Sequence, residues 1–435
     1  MLNLTRKGNL LNETSALQMM LVFRQLSVIL LAILFSKFYS IEEIGQVEGL
    51  QFILATFSVF WLNGILQWFL PTYQTSEMEL RANLLWRVFG LLLLFSTVLI
   101  GSILFFKPVV FSFFLHQKPY SSTEPFLVYS LFILPSYFLE YVLFVKQKYS
   151  AILLISSFSL FFQNAALFLG DDLYVVFAFW ALLAFVRFAY LFKELLPFSK
   201  LLRWNFRPIL VVAGPLIIYT FIAQWAVAYD SWLVNFFYKG DPFYFAVFRY
   251  GARELPLVLA LASGLSAAMS SKIAENFKEG LGLLKVKSKR LIHFLFPFTI
   301  ILLLGSNTWF PLVFSEALSE SVLIFDIFLL LIISRLLFPQ AIALAKGEQK
   351  AMMLISIVEL LVNMLASFYL AGIYGLPGIA VGTLLAFTLE KILIAVWLYK
   401  KFGLVPGEYT PVKSFLIYSI LLIAVFSVKY TFFIY

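Results

Sequence analysis

Arg249 and Arg253 stand four residues apart in an otherwise apolar stretch, Phe248-Arg249-Tyr250-Gly251-Ala252-Arg253-Glu254-Leu255-Pro256. On a helix that spacing puts both guanidinium groups on one face, one above the other, with Glu254 beside them. Two stacked cations repel each other unless an anion or carboxylates stand opposite. Arginine is also the side chain best shaped to grip phosphate oxygens through two parallel hydrogen bonds. The same residues fit a structural salt-bridge network with Glu254 and Asp230, and the sequence leaves both readings open. Arg24, with Gln18 and Gln25 near it, is a third cation in apolar company. It either lines an internal cavity or extends its stem to place the charge at an interface.

Carboxylates form a second set. Asp230 follows Gln224 and precedes Asn235, while Asp326, Arg335 and Glu359 add further ionisable groups to apolar runs, as do Glu140, Arg187, Glu390 and Lys391. An ionised group at mid-bilayer costs at least about 2.5–3.5 kcal/mol, so each needs a cavity, a partner or an interface. Asp230, Glu254, Asp326, Arg335 and Glu359 are therefore candidates either for ion coupling or for interhelical ion pairs. Catalysis has little to work with. Only His116 and His293 are present, and there is no cysteine, so no histidine metal triad, thiolate nucleophile or Ser-His-Asp set can be assembled. Asp171-Asp172 has the form of a metal-diphosphate motif of glycosyltransferases, but standing alone it reads as a solvated loop. The expectation is a non-enzyme with no cofactor and no metal.

The elements that position these groups follow from composition. Sixty-two per cent of the 435 residues are hydrophobic and 13% are charged, against roughly 25% charged in a soluble domain. Lipid can solvate such a chain, because about 20 apolar residues form a helix that satisfies its own backbone hydrogen bonds in hydrocarbon. Apolar runs of that length fall near 16–36, 45–69, 84–106, 124–145, 149–169, 173–192, 208–237, 243–271, 291–314, 321–345, 351–371, 377–399 and 412–434, about thirteen spans. Met19 to Phe35 has the look of a signal peptide, yet Phe38-Tyr39-Ser40-Ile41-Glu42 offers no cleavage site, so the first helix is expected to stay.

With the N-terminus inside, inner segments hold 21 of the 32 Lys and Arg and outer segments five, Lys429 among them. That bias is the expected one for cytoplasmic loops and sets the N-terminus in the cytoplasm; the expected location is a cell inner membrane. The net charge of +9 is scattered over short connectors, which argues against nucleic acid. The expected fold class is all-α: a polytopic membrane protein of two six-helix bundles in parallel repeat plus an extra C-terminal transmembrane helix. The expected divisions are an N-terminal lobe at 1–192, a cytoplasmic linker at 193–207 containing Pro197, a C-terminal lobe at 208–400 and the extra span at 401–435. Pro135, Gly214-Pro215, Pro256, Pro297 and Pro339 mark expected kinks or hinges. Phe38-Tyr39-Ser40-Ile41-Glu42 after the first span is echoed by Phe237-Tyr238-Lys239-Gly240-Asp241 after the seventh.

Three features together carry a resemblance: the six-plus-six arrangement, the exit Phe38-Tyr39-Ser40-Ile41-Glu42-Glu43-Ile44-Gly45, and the seventh span with Asp230 followed by Phe248 to Glu254. The chain resembles the bacterial polysaccharide-biosynthesis flippases, of the lipid-linked oligosaccharide (O-antigen) type, in the multidrug/oligosaccharidyl-lipid/polysaccharide exporter superfamily. The resemblance implies a V-shaped pair of bundles around a cavity that opens alternately to each side. It also implies carriage of a polyprenyl-diphosphate-linked oligosaccharide from the cytoplasmic to the periplasmic leaflet, and the intramembrane ionisable residues, where they are not ion pairs, would suit H+ or Na+ coupling. Arg24, Arg249 and Arg253 occupy the helices whose arginines grip the diphosphate in related flippases. The partners are then the lipid-linked glycan and the membrane lipids. The thirteenth span departs from the twelve-helix core of that family. A cation-coupled multidrug exporter of the same fold is the alternative; a membrane glycan polymerase or ligase fits less well, because every outer connector is short.

Overall fold

The computed structural model describes residues 13–170, 172–197 and 205–432. Arg6, Lys7, Asp171 and residues 198–204 of the expected linker lie outside these residues. The described chain is helical with no strand, and it divides into two compact units, Met1–Gln224 and Trp225–Tyr435.

The first unit begins with α1 (Glu13–Phe38), α2 (Ile41–Thr75), α3 (Met78–Phe105) and α4 (Lys107–Leu115). It continues through α5 (Thr123–Ser136), α6 (Leu139–Val145), α7 (Tyr149–Ala165) and α8 (Leu173–Leu195), and α9 (Arg207–Phe237) leads out of it. The second unit holds α10 (Pro242–Gly251), α11 (Pro256–Glu275), α12 (Phe277–Val313), α13 (Ser321–Leu329), α14 (Ile332–Arg335) and α15 (Pro339–Ala345). It ends with α16 (Gln349–Tyr374), α17 (Leu376–Phe402), α18 (Pro406–Tyr409) and α19 (Val412–Phe432).

Among the described residues ten helices are long and apolar enough to cross a membrane, or twelve if each of two bent pairs counts as one span. These cover the second to thirteenth expected spans, and α1 covers the first. The polarity is that of a protein solvated by lipid. Phe105, Leu154 and Leu365 are 70% exposed or more, whereas Asn363, Ser367, Thr299 and Ser130 are buried. Packing inside each unit is conventional: in the first, Trp61, Ile65, Phe69, Phe89, Phe138 and Val142 share one core, with Phe69 edge-on to Phe138 at 4.8 Å.

Local chemistry explains the turns. Ser40 caps α2, its hydroxyl accepting from the Glu43 N–H (3.3 Å) while Glu43 Oε2 accepts from the Ser40 N–H (2.9 Å). Tyr39 donates its hydroxyl to the Gly170 carbonyl at 2.9 Å, tying the exit of α1 to the turn before α8. In the second unit Tyr238 follows α9 and its hydroxyl accepts from the Leu376 N–H at 3.2 Å, the first residue of α17. Asp241 caps α10 through the Phe243 N–H. The two aromatic echoes thus do the same work in each unit.

A second parallel joins the α6–α7 and α15–α16 turns, which pass through Gln147 (φ 59°) and Gly347 (φ 74°). In the first unit Lys146 and Lys148 donate to Glu194 of α8 at 2.8 and 2.7 Å. In the second the signs are exchanged, and Lys401 of α17 donates to Glu348. Those hydrogen bonds hold the Lys148 ammonium above its ordinary range and the Glu348 carboxyl below its own.

Two expectations need correction. Arg249 and Arg253 do not share a helix face, because α10 ends at Gly251 and residues 252–255 are non-helical before Pro256 opens α11. Proline drives the preceding Leu255 out of the α region (ψ 116°). Gly251 supplies the close approach, since a Cβ there would stand 2.6 Å from the Ile324 Cβ and 2.7 Å from the Ser321 carbonyl of α13. Lys429, counted among outer segments, lies inside α19 at 6% exposure. Its ammonium reaches Asp326 Oδ2 at 2.6 Å and the Leu303 carbonyl at 3.0 Å, pinning the last helix to α12 and α13.

Candidate functional site

The first unit holds a partly open chamber of about 610 Å3 between α1, α2, α5, α6, α7 and α8, inside the ~300–1,000 Å3 range of small-ligand sites. Its wall mixes apolar residues with Gln51, Asn63, Gln163, Tyr129, Tyr137, Tyr190, Trp180, Ser58 and Ser159. Three charged side chains stand in it: Arg24 from α1, Glu140 from α6 and Arg187 from α8.

Pro135 starts the arrangement. It ends α5, and the turn at Tyr137-Phe138 re-aims the chain so that Glu140 faces the chamber in the first turn of α6. Glu140 is 3% exposed and pairs through Oε1 with the Arg187 guanidinium. Arg187 is fixed on its remaining sides by the Ser136 carbonyl (3.3 Å) and the Ser159 hydroxyl (3.2 Å). Arg24 is different. It lies 3.8 Å from the same Glu140 oxygen, rests over the Tyr137 ring at 4.9 Å and is 42% exposed. Glu140 Oε2 is buried with no hydrogen-bond partner among the described residues. Two guanidiniums against one carboxylate leave the wall with a net single positive charge, and Arg24 carries its accessible part. Around it, Gln163 donates to the Tyr129 hydroxyl (3.2 Å) and Trp180 donates to the Gln163 carbonyl (2.9 Å), an ordered polar and aromatic lining.

The second unit distributes the other expected site residues over three places. Arg335, at the end of α14, grips Glu254 with two parallel bonds of 2.7 and 2.6 Å and covers the Phe387 ring at 4.4 Å. This fork clasps the α10–α11 break to the α14–α15 break. Arg253 lies over the Tyr250 ring at 4.4 Å, and Arg249 is half-buried in the last turn of α10. Asp230 is 6% exposed and accepts from the Thr383 hydroxyl at 2.7 Å, with Asn363 and Ser367 completing a polar surround. Glu359 is buried on α16, within electrostatic reach of Arg335 and the Glu390–Lys391 pair. Asp326 is spent on Lys429, Ser306 and Tyr430. No cluster of three or more His, Asp or Glu suited to a metal occurs among the described residues.

This architecture has solved counterparts. The chain shares the fold of a lipid II flippase. The structure titled "Lipid II flippase MurJ, inward closed conformation" aligns over 96% of this chain and 92% of its own with a TM-score of 0.72 and 18% identity. A transporter of the multidrug/oligosaccharidyl-lipid/polysaccharide superfamily from Pyrococcus furiosus gives 0.56 at 14% identity, over 89% of this chain and 94% of that one. The MATE multidrug transporter DinF-BH, solved with R6G, gives 0.52 at 15% identity over 91% and 98%. No protein-family model and no curated protein matches the sequence. At these identities the likeness is one of fold: a multi-pass membrane architecture of the kind built by transporters of that superfamily.

Arg24 was the chamber residue that the sequence singled out. Arg187 and Glu140 were visible as charges in apolar runs, but no signal linked them, since 47 residues separate the pair. The earlier clue is Pro135, whose break turns Glu140 inward.

Proposed function

We propose that this protein is a flippase for a polyprenyl-diphosphate-linked oligosaccharide, in the polysaccharide-biosynthesis branch of the superfamily. In this reading it moves the saccharide head group from the cytoplasmic to the periplasmic leaflet of an inner membrane by alternating access, its N-terminus in the cytoplasm. The observation that carries the reading is the Arg24–Glu140–Arg187 set in the first unit's chamber. A diphosphate loses water on entering such a space and needs a fixed cation in exchange. Arg24 offers a guanidinium not locked by a close partner, while Arg187 and Glu140 hold the wall in place. Tyrosine, tryptophan and carboxamide groups suit the hydroxyl edges and apolar faces of a sugar.

Arg249 and Arg253 remain proposed substrate contacts of the second unit. Asp230, wrapped in hydroxyl and carboxamide oxygens, is the proposed coupling site for H+ or Na+, because hard cations prefer such donors. The divisions 1–192, 193–207, 208–400 and 401–435 belong to the same proposal, as two lobes, linker and added span. A multidrug exporter handling amphiphilic cations calls for an acidic wall, and the net positive charge beside Arg24 disfavours it.

The test is reconstitution in liposomes with a fluorescent short-chain polyprenyl-diphosphate saccharide, scoring quenching of the exposed leaflet by dithionite. Protein-dependent translocation, reduced at least about tenfold by Arg24→Ala, is the expected result. Translocation of a cationic dye without translocation of the glycolipid would overturn the proposal.

A further inference from the structure

The helix α12 is too long for the membrane it crosses. Its 37 residues extend about 56 Å at 1.5 Å per residue, against a hydrocarbon thickness of about 30 Å. The excess is at the start. Leu281, Leu284, Ser288 and Ile292 form its buried face, and Gly280 sits against the Ile273 backbone of α11. The rest of its surface exposes Lys285, Lys287, Lys289 and Arg290 just before the apolar run that begins at Leu291, Lys285 flanking the buried face and donating to the Gly407 carbonyl at 2.6 Å.

By the helical rise these four cations lie within roughly 9 Å of the hydrocarbon border, where a lipid phosphate resides and where screening, with a Debye length of about 8 Å, still leaves attraction. Lys413 adds an exposed charge at the start of α19, which packs on α12. Glu408, accepting from the Val405 N–H at 2.9 Å, and Glu279, accepting from the Asn276 carboxamide at 3.0 Å, are two carboxylates set against these five cations. Exposed Val286 (53%) and Phe294 (56%) interleave with the cations, the pattern of a surface that meets head groups and acyl chains together.

We propose that the basic first third of α12 is a binding surface for the phosphate head groups of anionic lipids in the leaflet it borders. Charge that serves only to orient the helix during insertion makes no demand on lipid type afterwards; a head-group surface does. The inference does not depend on the flippase reading.

The experiment compares the full-length protein in nanodiscs of phosphatidylglycerol and phosphatidylcholine, by thermal midpoint and by native mass spectrometry of retained lipid. The wild type is expected to retain phosphatidylglycerol preferentially and to melt higher in its presence. Changing Lys285, Lys287, Lys289 and Arg290 to Gln should cut that occupancy on the order of tenfold or more, while Arg in place of the three lysines should preserve it. The milder Lys287→Gln/Arg290→Gln pair gives the same reading in reduced form should the fourfold variant not fold. A wild type indifferent to head-group charge, a glutamine variant that keeps the preference, or binding of an added acidic protein with no lipid preference overturns the proposal.

Discussion

Replacing Arg187 by methionine removes the close partner of a carboxylate that is 3% exposed, while Arg24 stays 3.8 Å from it. Breaking one side of a buried pair costs about 3–5 kcal/mol, because the remaining charge keeps its desolvation penalty. Glu140→Gln should cost less, since Arg187 keeps the Ser136 carbonyl and the Ser159 hydroxyl. It also raises the net charge of the chamber wall from one to two, so affinity for an anionic head group should rise. The double variant removes both charges and should recover to within about 1 kcal/mol of wild type, giving a coupling energy of at least about 2 kcal/mol. Reversible unfolding in mixed micelles, followed by tryptophan fluorescence, measures all four corners of the cycle. If Arg187→Met lies within about 0.5 kcal/mol of wild type, or if the two single costs simply add, the pair does not hold the chamber and the reasoning fails.

Three further outcomes follow from other parts of the chain. Gly251→Ala places a methyl 2.6 Å from Ile324 and should lower stability by about 1–3 kcal/mol through overpacking; an unchanged unfolding midpoint would show that α10 and α13 have slack. Lys429→Met strands the fully buried Asp326 with hydroxyl donors alone and should cost about 3 kcal/mol or more, with Lys429→Met/Asp326→Asn recovering most of it in the same unfolding assay. Asp230→Asn keeps the shape of the polar pocket around Thr383 and removes its charge. Transport in liposomes should lose its dependence on an imposed proton or sodium gradient, whereas a retained dependence moves coupling elsewhere.

The spans were legible because lipid imposes a simple rule: 20 apolar residues in a row can form a helix there and little else. The paired turns at Tyr39 and Tyr238 were also legible, since aromatic residues followed by a capping side chain leave a local pattern. The break at 252–255 was legible in part, as the kink expected at Pro256. The place where α10 stops was not, because Gly251 is tolerated within a membrane helix and its close approach to Ser321 and Ile324 of α13 joins residues 70 and 73 apart in sequence. Long-range pairing was hidden for the same reason. Glu140 with Arg187, Glu254 with Arg335 and Asp326 with Lys429 lie 47, 81 and 103 residues apart, and one sequence carries no record of which charge meets which. Arg24 was legible as a charge out of place. Its distinction from Arg187, exposed donor against locked donor, came only from geometry.

The central claim is that Arg24 presents the chamber's accessible positive charge to an anionic lipid head group. The most direct measurement is the affinity of the purified protein in nanodiscs for a short-chain polyprenyl diphosphate and for the matching uncharged polyprenol, with wild type and Arg24→Ala compared. The account predicts that the wild type prefers the diphosphate and that the substitution abolishes the preference, weakening diphosphate binding at least about tenfold with no change in unfolding midpoint. Equal binding of the two lipids by wild type, or undiminished diphosphate binding by a folded Arg24→Ala protein, would contradict it.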